Sequence, residues 1–267
     1  MRLKPVAAIL LRQWYLLRGS PVRALPMFAW VGIDIVLWGF ISRFLNSVAG
    51  AGINFTAVFL GAVLLWDLCG RVMQGLTTAF LEDVWSRNFL NLFASPLKIP
   101  EYVTGLVIAS IATSMIGLAV MLVLAVPVFG LSFLALGAHL ALFLLVLYGF
   151  GVALGIVASG LVLRFGPASE WLVWPIPALL SPFCAVFYPL TVLPRWMQSV
   201  AYLLPPSYVF EGMRALLQGK PFAPLPALCA VTLAAIEIAL AGYCFVRVYR
   251  RAVRTGLLAR YSAETVS

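Results

Sequence analysis

Residues 103–129 read VTGLVIASIATSMIGLAVMLVLAVPVF, twenty-seven positions without one Asp, Glu, Lys or Arg. A helix needs about 20 largely apolar residues to cross roughly 30 Å of hydrocarbon. This run is long enough, and it is not alone. Working outward, comparable runs occupy 24–42, 55–80, 134–163, 171–187 and 224–246. Of the 267 residues, 63% are apolar and 10% charged. Lipid offers the backbone no hydrogen-bond partner, so the runs should be helices. A β-barrel would show short alternating segments, and these runs are continuous. The reading is an all-α integral membrane protein with six transmembrane helices, forming one domain over 1–267.

Basic residues set the orientation, since Lys and Arg favour the cytoplasmic side. Six spans put both termini on one side. If that side is inner, Arg2, Lys4, Arg12, Arg18 and Arg23 lie there, as do Arg87, Lys98, Arg164, Arg247, Arg250, Arg251, Arg254 and Arg260. Arg43, Arg195, Arg214 and Lys220 remain outside, and Arg71 falls within a span. The net charge of +9 is therefore mainly a topology signal. The basic residues flank apolar runs and do not form one soluble patch, so no nucleic acid partner is expected. The first run starts after residue 23 and is too long for a signal-peptide core, so it reads as an uncleaved span.

The segments between the runs carry more information. Residues 5–18 mix Arg12, Gln13 and Arg18 with Ile9, Leu10, Trp14, Tyr15 and Leu17. This reads as a helix in the inner membrane interface, in contact with lipid, or else as a plain juxtamembrane tail. Residues 81–101 read LEDVWSRNFLNLFASPLKIPE. Glu82 and Asp83 suit a helix start. Trp85, Phe89, Leu92 and Phe93 then share one helical face, and Pro96 and Pro100 should end the regular structure. An apolar stripe outside the membrane needs a partner, either a protein or the lipid surface. On the outer side, 194–204 and 206–219 predict two short helices broken at Pro205-Pro206. Each rises only about 16–21 Å, too short to cross. Tyr208 belongs near the outer headgroups, and Glu211 and Arg214 can pair three residues apart. Arg247, Arg250, Arg251 and Arg254 form one basic helical face suited to anionic lipid.

Inside the spans, Asp67 precedes Arg71 by four residues, the favourable order for a helical pair. The pair is either structural or part of a substrate path. Asp34 and Glu237 are lone acids. Seven tryptophans, Trp30, Trp38, Trp66, Trp85, Trp171, Trp174 and Trp196, either line a path or form interfacial belts. Cys69, Cys184, Cys229 and Cys244 have no zinc or redox spacing and read as small buried hydrophobes. The lone His139 has no nucleophile partner, and no Gly-x-Ser-x-Gly elbow or phosphate loop occurs. Neither catalytic residues nor a metal site are expected, and ATP hydrolysis would need another subunit.

The segment from Ser86 to Leu97, followed by Glu101 and Gly105, resembles the link between spans two and three in the permease subunit of type-2 ATP-binding-cassette (ABC) exporters. So do 186–194 and 205–214 between spans five and six. The resemblance implies a coupling helix at about 82–93, comprising Glu82, Asp83, Trp85, Arg87, Phe89, Leu92 and Phe93, docked on an ABC ATPase subunit. It also implies an N-terminal interfacial helix and an external re-entrant segment bearing Pro205, Tyr208, Glu211 and Arg214. The unit would be a homodimer of permeases in a bacterial inner membrane. It would bind no cofactor itself, with ATP and Mg on the partner ATPase. Amphipathic, lipid-linked glycan or drug-like cargo follows from the resemblance alone. The competing readings are a proton-coupled secondary transporter using the intramembrane acids and a non-transporting scaffold.

Overall fold

The computed structural model describes residues 2–19, 21–49, 56–86, 92, 95–131, 133, 136–166 and 169–255, with backbone alone at 21–28, 30, 31, 49, 56, 57 and 85. Every regular element among them is helical. The long ones are α1 (Leu3–Gly19), α2 (Pro21–Ala49), α3 (Gly61–Trp85), α4 (Ile99–Phe129) and α5 (His139–Phe165). The short α6 (Glu170–Val173), α7 (Ile176–Leu180), α8 (Arg195–Ala201) and α9 (Pro205–Leu217) follow, then α10 (Pro224–Arg254). A π-helical turn, Thr56–Leu60, leads into α3.

Among the described residues four helices are long and apolar enough to cross a membrane: 58–84, which takes in most of α3, then α4, α5 and α10. The chain is thus an integral membrane protein. Helix α3 is central, packing on α4 and α5, and α5 packs in turn on α10. Glycine sets the α3–α5 spacing. A Cβ at Gly151 would lie 2.7 Å from the Cys69 carbonyl oxygen, and one at Gly155 would lie 3.2 Å from that of Met73. The two glycines are four residues apart, on one helix face, so the backbones themselves meet. On the opposite flank, Ser110 of α4 donates from Oγ to the Val72 carbonyl at 2.7 Å. Gly75 leaves room for that hydroxyl.

Three expectations change. The fifth apolar run, 171–187, is not one helix: α6 and α7 are separate short pieces, followed by turns. Pro175, Pro177 and Pro182 explain this, because each removes an N–H and crowds the preceding turn. Second, no helix starts at Glu82. Helix α3 runs without a break to Trp85, and the Ser86 N–H closes it on the Glu82 carbonyl at 2.9 Å. Third, Pro100 opens a helix instead of ending one. It occupies the first turn of α4, where its missing N–H has no partner to lose. The Glu101 carboxylate accepts from the Lys98 N–H at 3.1 Å to complete that start. Helix α4 closes on Gly130, in the left-handed conformation at φ 66°.

The predicted N-terminal helix is present as α1. So are the two predicted short helices, as α8 and α9, although Pro205 and Pro206 initiate α9 and do not merely separate the pair. Arg247, Arg250, Arg251 and Arg254 all fall on the last turns of α10 and are exposed.

Candidate functional site

Charge is concentrated where α1 crosses the ends of α3 and α4. Asp83 is fully buried at the C-terminal end of α3. That is the end where the helix dipole disfavours an acid. Arg12 of α1 resolves the conflict. Its guanidinium forms a two-pronged ion pair with Asp83, one prong at 2.9 Å from Nη1 to Oδ2. The Tyr102 hydroxyl of α4 donates to the same Oδ2 at 2.7 Å. The hydrogen bond to Asp83 raises the Arg12 pKa above its ordinary value, so the guanidinium stays charged.

A second tie lies at the start of α1. Arg2 donates to Glu101 from its backbone N–H at 3.0 Å and from Nε at 3.1 Å, and it also reaches the Pro96 carbonyl. Between the two ties, Ile9 packs onto Gly105 of α4 so closely that a Cβ there would sit 2.7 Å from it. Val6, Ile9 and Gln13 form the buried face of α1, while Trp14 and Tyr15 point outward. The connection between α3 and α4 is therefore anchored at both ends by one helix.

Of the seven residues expected on the coupling helix, Glu82 and Asp83 belong to the last turns of α3. For Trp85 only the backbone is described, and Arg87, Phe89 and Phe93 lie outside the described residues. Leu92 is half-buried against the core cluster that contains Tyr102 and Phe80.

Beside this crossing, α1, α2, α3 and α4 surround a cavity of about 650 Å³. Asp67 and Arg71 lie in its wall and form the predicted i, i+4 pair. The Arg71 stem runs along Gly117 of α4, whose missing side chain leaves it space. Asp34 of α2 faces the same cavity, half-buried and within electrostatic reach of Arg71. Gln74, Thr78 and Thr113 add neutral polar groups, and Glu82 lies at one rim. Leu16, Leu17, Leu106 and Trp174 supply apolar wall. Of the seven tryptophans considered in the sequence, Trp174 borders this cavity, while Trp38 packs on Phe59 and Phe187.

The α8–α9 segment is held by polar groups of its own. Arg214 of α9 is buried and donates to the carbonyls of Ala185 at 2.9 Å and Val186 at 3.2 Å. Its predicted partner Glu211 lies 3.0 Å away and accepts from the Leu190 N–H at 2.7 Å. Tyr208 ties α9 back to the end of α8, its hydroxyl donating to the Tyr202 carbonyl at 2.8 Å. Ala185 sits at φ 52°, a strained position for a residue with a Cβ. The remaining intramembrane acid, Glu237 of α10, has one carboxylate oxygen buried without a hydrogen-bond partner. His139 contacts the Leu136 carbonyl through Nδ1 at 3.1 Å and packs on Phe222, a structural role. Among the described residues no three His, Cys, Asp or Glu side chains cluster as metal ligands.

Two elements of the site were not anticipated. The Arg12–Asp83–Tyr102 network joins residues 71 and 19 positions apart. Its one sequence signal is an acid at the wrong end of a helix, which demands a cation from elsewhere. The convergence of Asp34 with Asp67 and Arg71 had no sequence signal beyond three charges in apolar runs.

Long apolar helices around a cavity with charged walls define an integral membrane protein with a polar site inside its helical bundle. The model that describes the family of the ABC-2 type transporter matches residues 8–217, from α1 through α9. The chain belongs to that family, and its role is that of an ABC permease. No curated protein matches the chain.

Proposed function

We propose that the chain is the permease subunit of an ATP-driven exporter, with two copies forming the path and a separate ABC ATPase supplying the energy. The ATPase docks on 82–93 and carries the ATP and Mg. Both termini face the cytoplasm of a bacterial inner membrane, and the cargo is amphipathic, a lipid-linked glycan or a drug-like molecule. The observation that carries this reading is the anchoring of the α3–α4 connection. Asp83 at one end and Glu101 at the other are both tied to α1. A force applied between them reaches α3, and with it the Asp67–Arg71 wall of the cavity. Membership of the ABC-2 family and the apolar stripe of 85–93 support the same assignment.

The test is a pull-down in mild detergent, comparing the native chain with a Trp85→Ala/Phe89→Ala variant. Co-purification of an ATPase with the native chain, lost or uncoupled from turnover in the variant, is the expected result. Failure of any ATPase to associate with the folded native chain would overturn the reading and favour a secondary transporter built on Asp34, Asp67 and Glu237.

A further inference from the structure

Among the described residues, the wall of the cavity beside α1 carries more acids than bases. Asp67 is paired with Arg71. Asp34, on the facing helix, forms no hydrogen bond or ion pair with any described residue. Two carboxylates thus share one guanidinium inside the membrane-spanning layer. A charge in that layer is costly unless it is paired or hydrated. Around these groups the wall is mostly apolar, with Leu16, Leu106 and the Trp174 ring the largest pieces. A volume of about 650 Å³ lies within the range of sites that enclose a drug-sized ligand, roughly 300–1,000 Å³.

From this combination we propose that the cavity is a binding site for amphipathic organic cations, with Asp34 as the residue that meets the positive charge. The inference rests on the permease reading and narrows its cargo to one charge class. An apolar body fills the Leu16–Leu106–Trp174 wall. The cationic centre settles by Asp34 and supplies the charge that Arg71 does not. Anionic ligands of the same shape are rejected, because they would add a third negative charge beside Asp34 and Asp67. The Asp67–Arg71 pair is a positioning element: Arg71 holds Asp67 and leaves Asp34 open to the ligand.

Tetraphenylphosphonium and tetraphenylborate separate charge from shape, being close in size and opposite in sign. The experiment measures equilibrium binding of each to the full chain in lipid nanodiscs, with empty nanodiscs subtracted and no ATPase added. Saturable binding of the cation and none of the anion is expected. Asp34→Asn should weaken cation binding about tenfold or more, the loss of one charge contact in a partly dry site. Asp34→Glu, which keeps the charge, should retain it. Equal binding of both ions, no binding above empty nanodiscs, or an Asp34→Asn variant that binds like the native chain overturns the proposal. Thermal unfolding of each variant shows that a lost signal is not a lost fold. A Thr113→Phe variant, which fills the cavity without touching its charge, gives an independent check and should also abolish binding. The two readings fail separately. An ATPase that co-purifies with a chain unable to bind the cation removes the cation site and leaves the permease reading. Asp34-dependent cation binding without any ATPase supports the site and removes the exporter assignment.

Discussion

Removing Arg12 should destabilise the protein more than removing any surface charge. Asp83 is fully buried and has three hydrogen bonds from two side chains, Arg12 and Tyr102. Arg12→Leu leaves the carboxylate with Tyr102 alone. Breaking a buried pair by losing one partner costs about 3–5 kcal/mol. The Arg12 side chain is 26% exposed, so water screens the pair and the lower figure of about 3 kcal/mol applies. Tyr102→Phe keeps the pair and loses one bond to a charged acceptor, about 1.5 kcal/mol. Arg12→Leu/Asp83→Leu removes both charges and should return to within about 1 kcal/mol of the native chain. The assay is thermal unfolding in detergent, followed with a thiol-reactive dye. Cys69 and Cys184 are buried and become reactive on unfolding. About 3 kcal/mol corresponds to a fall in Tm of roughly 6 °C or more for a chain of this size. The reasoning is refuted if Arg12→Leu melts within about 2 °C of the native chain. It is equally refuted if the two substitutions add with a coupling below about 0.5 kcal/mol.

Substitutions at four further positions address other contacts. Gly151→Val places a side chain 2.7 Å from the Cys69 carbonyl and should cost at least about 3 kcal/mol, seen as a loss of folded protein by size exclusion, while Gly149→Ala on the same helix, 3.4 Å from the Ala234 Cβ, should fall within about 1 kcal/mol. At Ala185 the left-handed backbone tolerates glycine, so Ala185→Gly should melt close to the native chain, whereas Ala185→Val should lose about 2 kcal/mol or more in the same dye assay. Arg214→Leu strips two backbone carbonyls of their donor and leaves Glu211 with the Leu190 N–H alone, costing about 3 kcal/mol; Arg214→Lys should recover less than half, because an ammonium cannot reproduce the fork, and limited proteolysis within 185–195 should quicken in both.

What the sequence could reveal followed the range of the interaction. Asp67–Arg71 and Glu211–Arg214 were legible because a helix brings residues three or four apart onto one face. The apolar runs were legible because lipid imposes a minimum length on any helix that crosses it. Arg12–Asp83 was not, because no periodicity connects residues on different helices. The end of α3 was misplaced for a related reason. Two acids look like a helix start by local dipole rules, and the cation from α1 makes the buried one, Asp83, tolerable at a helix end. The fifth run was misread from composition alone: its apolar content suggested a span, while its three prolines governed the backbone. Arg87, Phe89 and Phe93 remain a sequence-level assignment, since the expected docking stripe falls mainly outside the described residues.

Gly151 and Gly155 bring the α3 and α5 backbones into direct contact. Side chains between helices can change rotamer and let their elements slide, but carbonyl groups have no such freedom. Helices α3 and α5 therefore behave as one stiff beam, and any alternation between two states of the protein must hinge elsewhere. The α3–α4 seam is better suited to that role, because the Ser110 and Ser114 hydroxyls that cross it can exchange one carbonyl partner for the next as the helices shift. In the proposed complex with an ATPase, a disulfide placed across α3 and α5 should then leave ATP turnover unaffected, whereas one across α3 and α4 should arrest it.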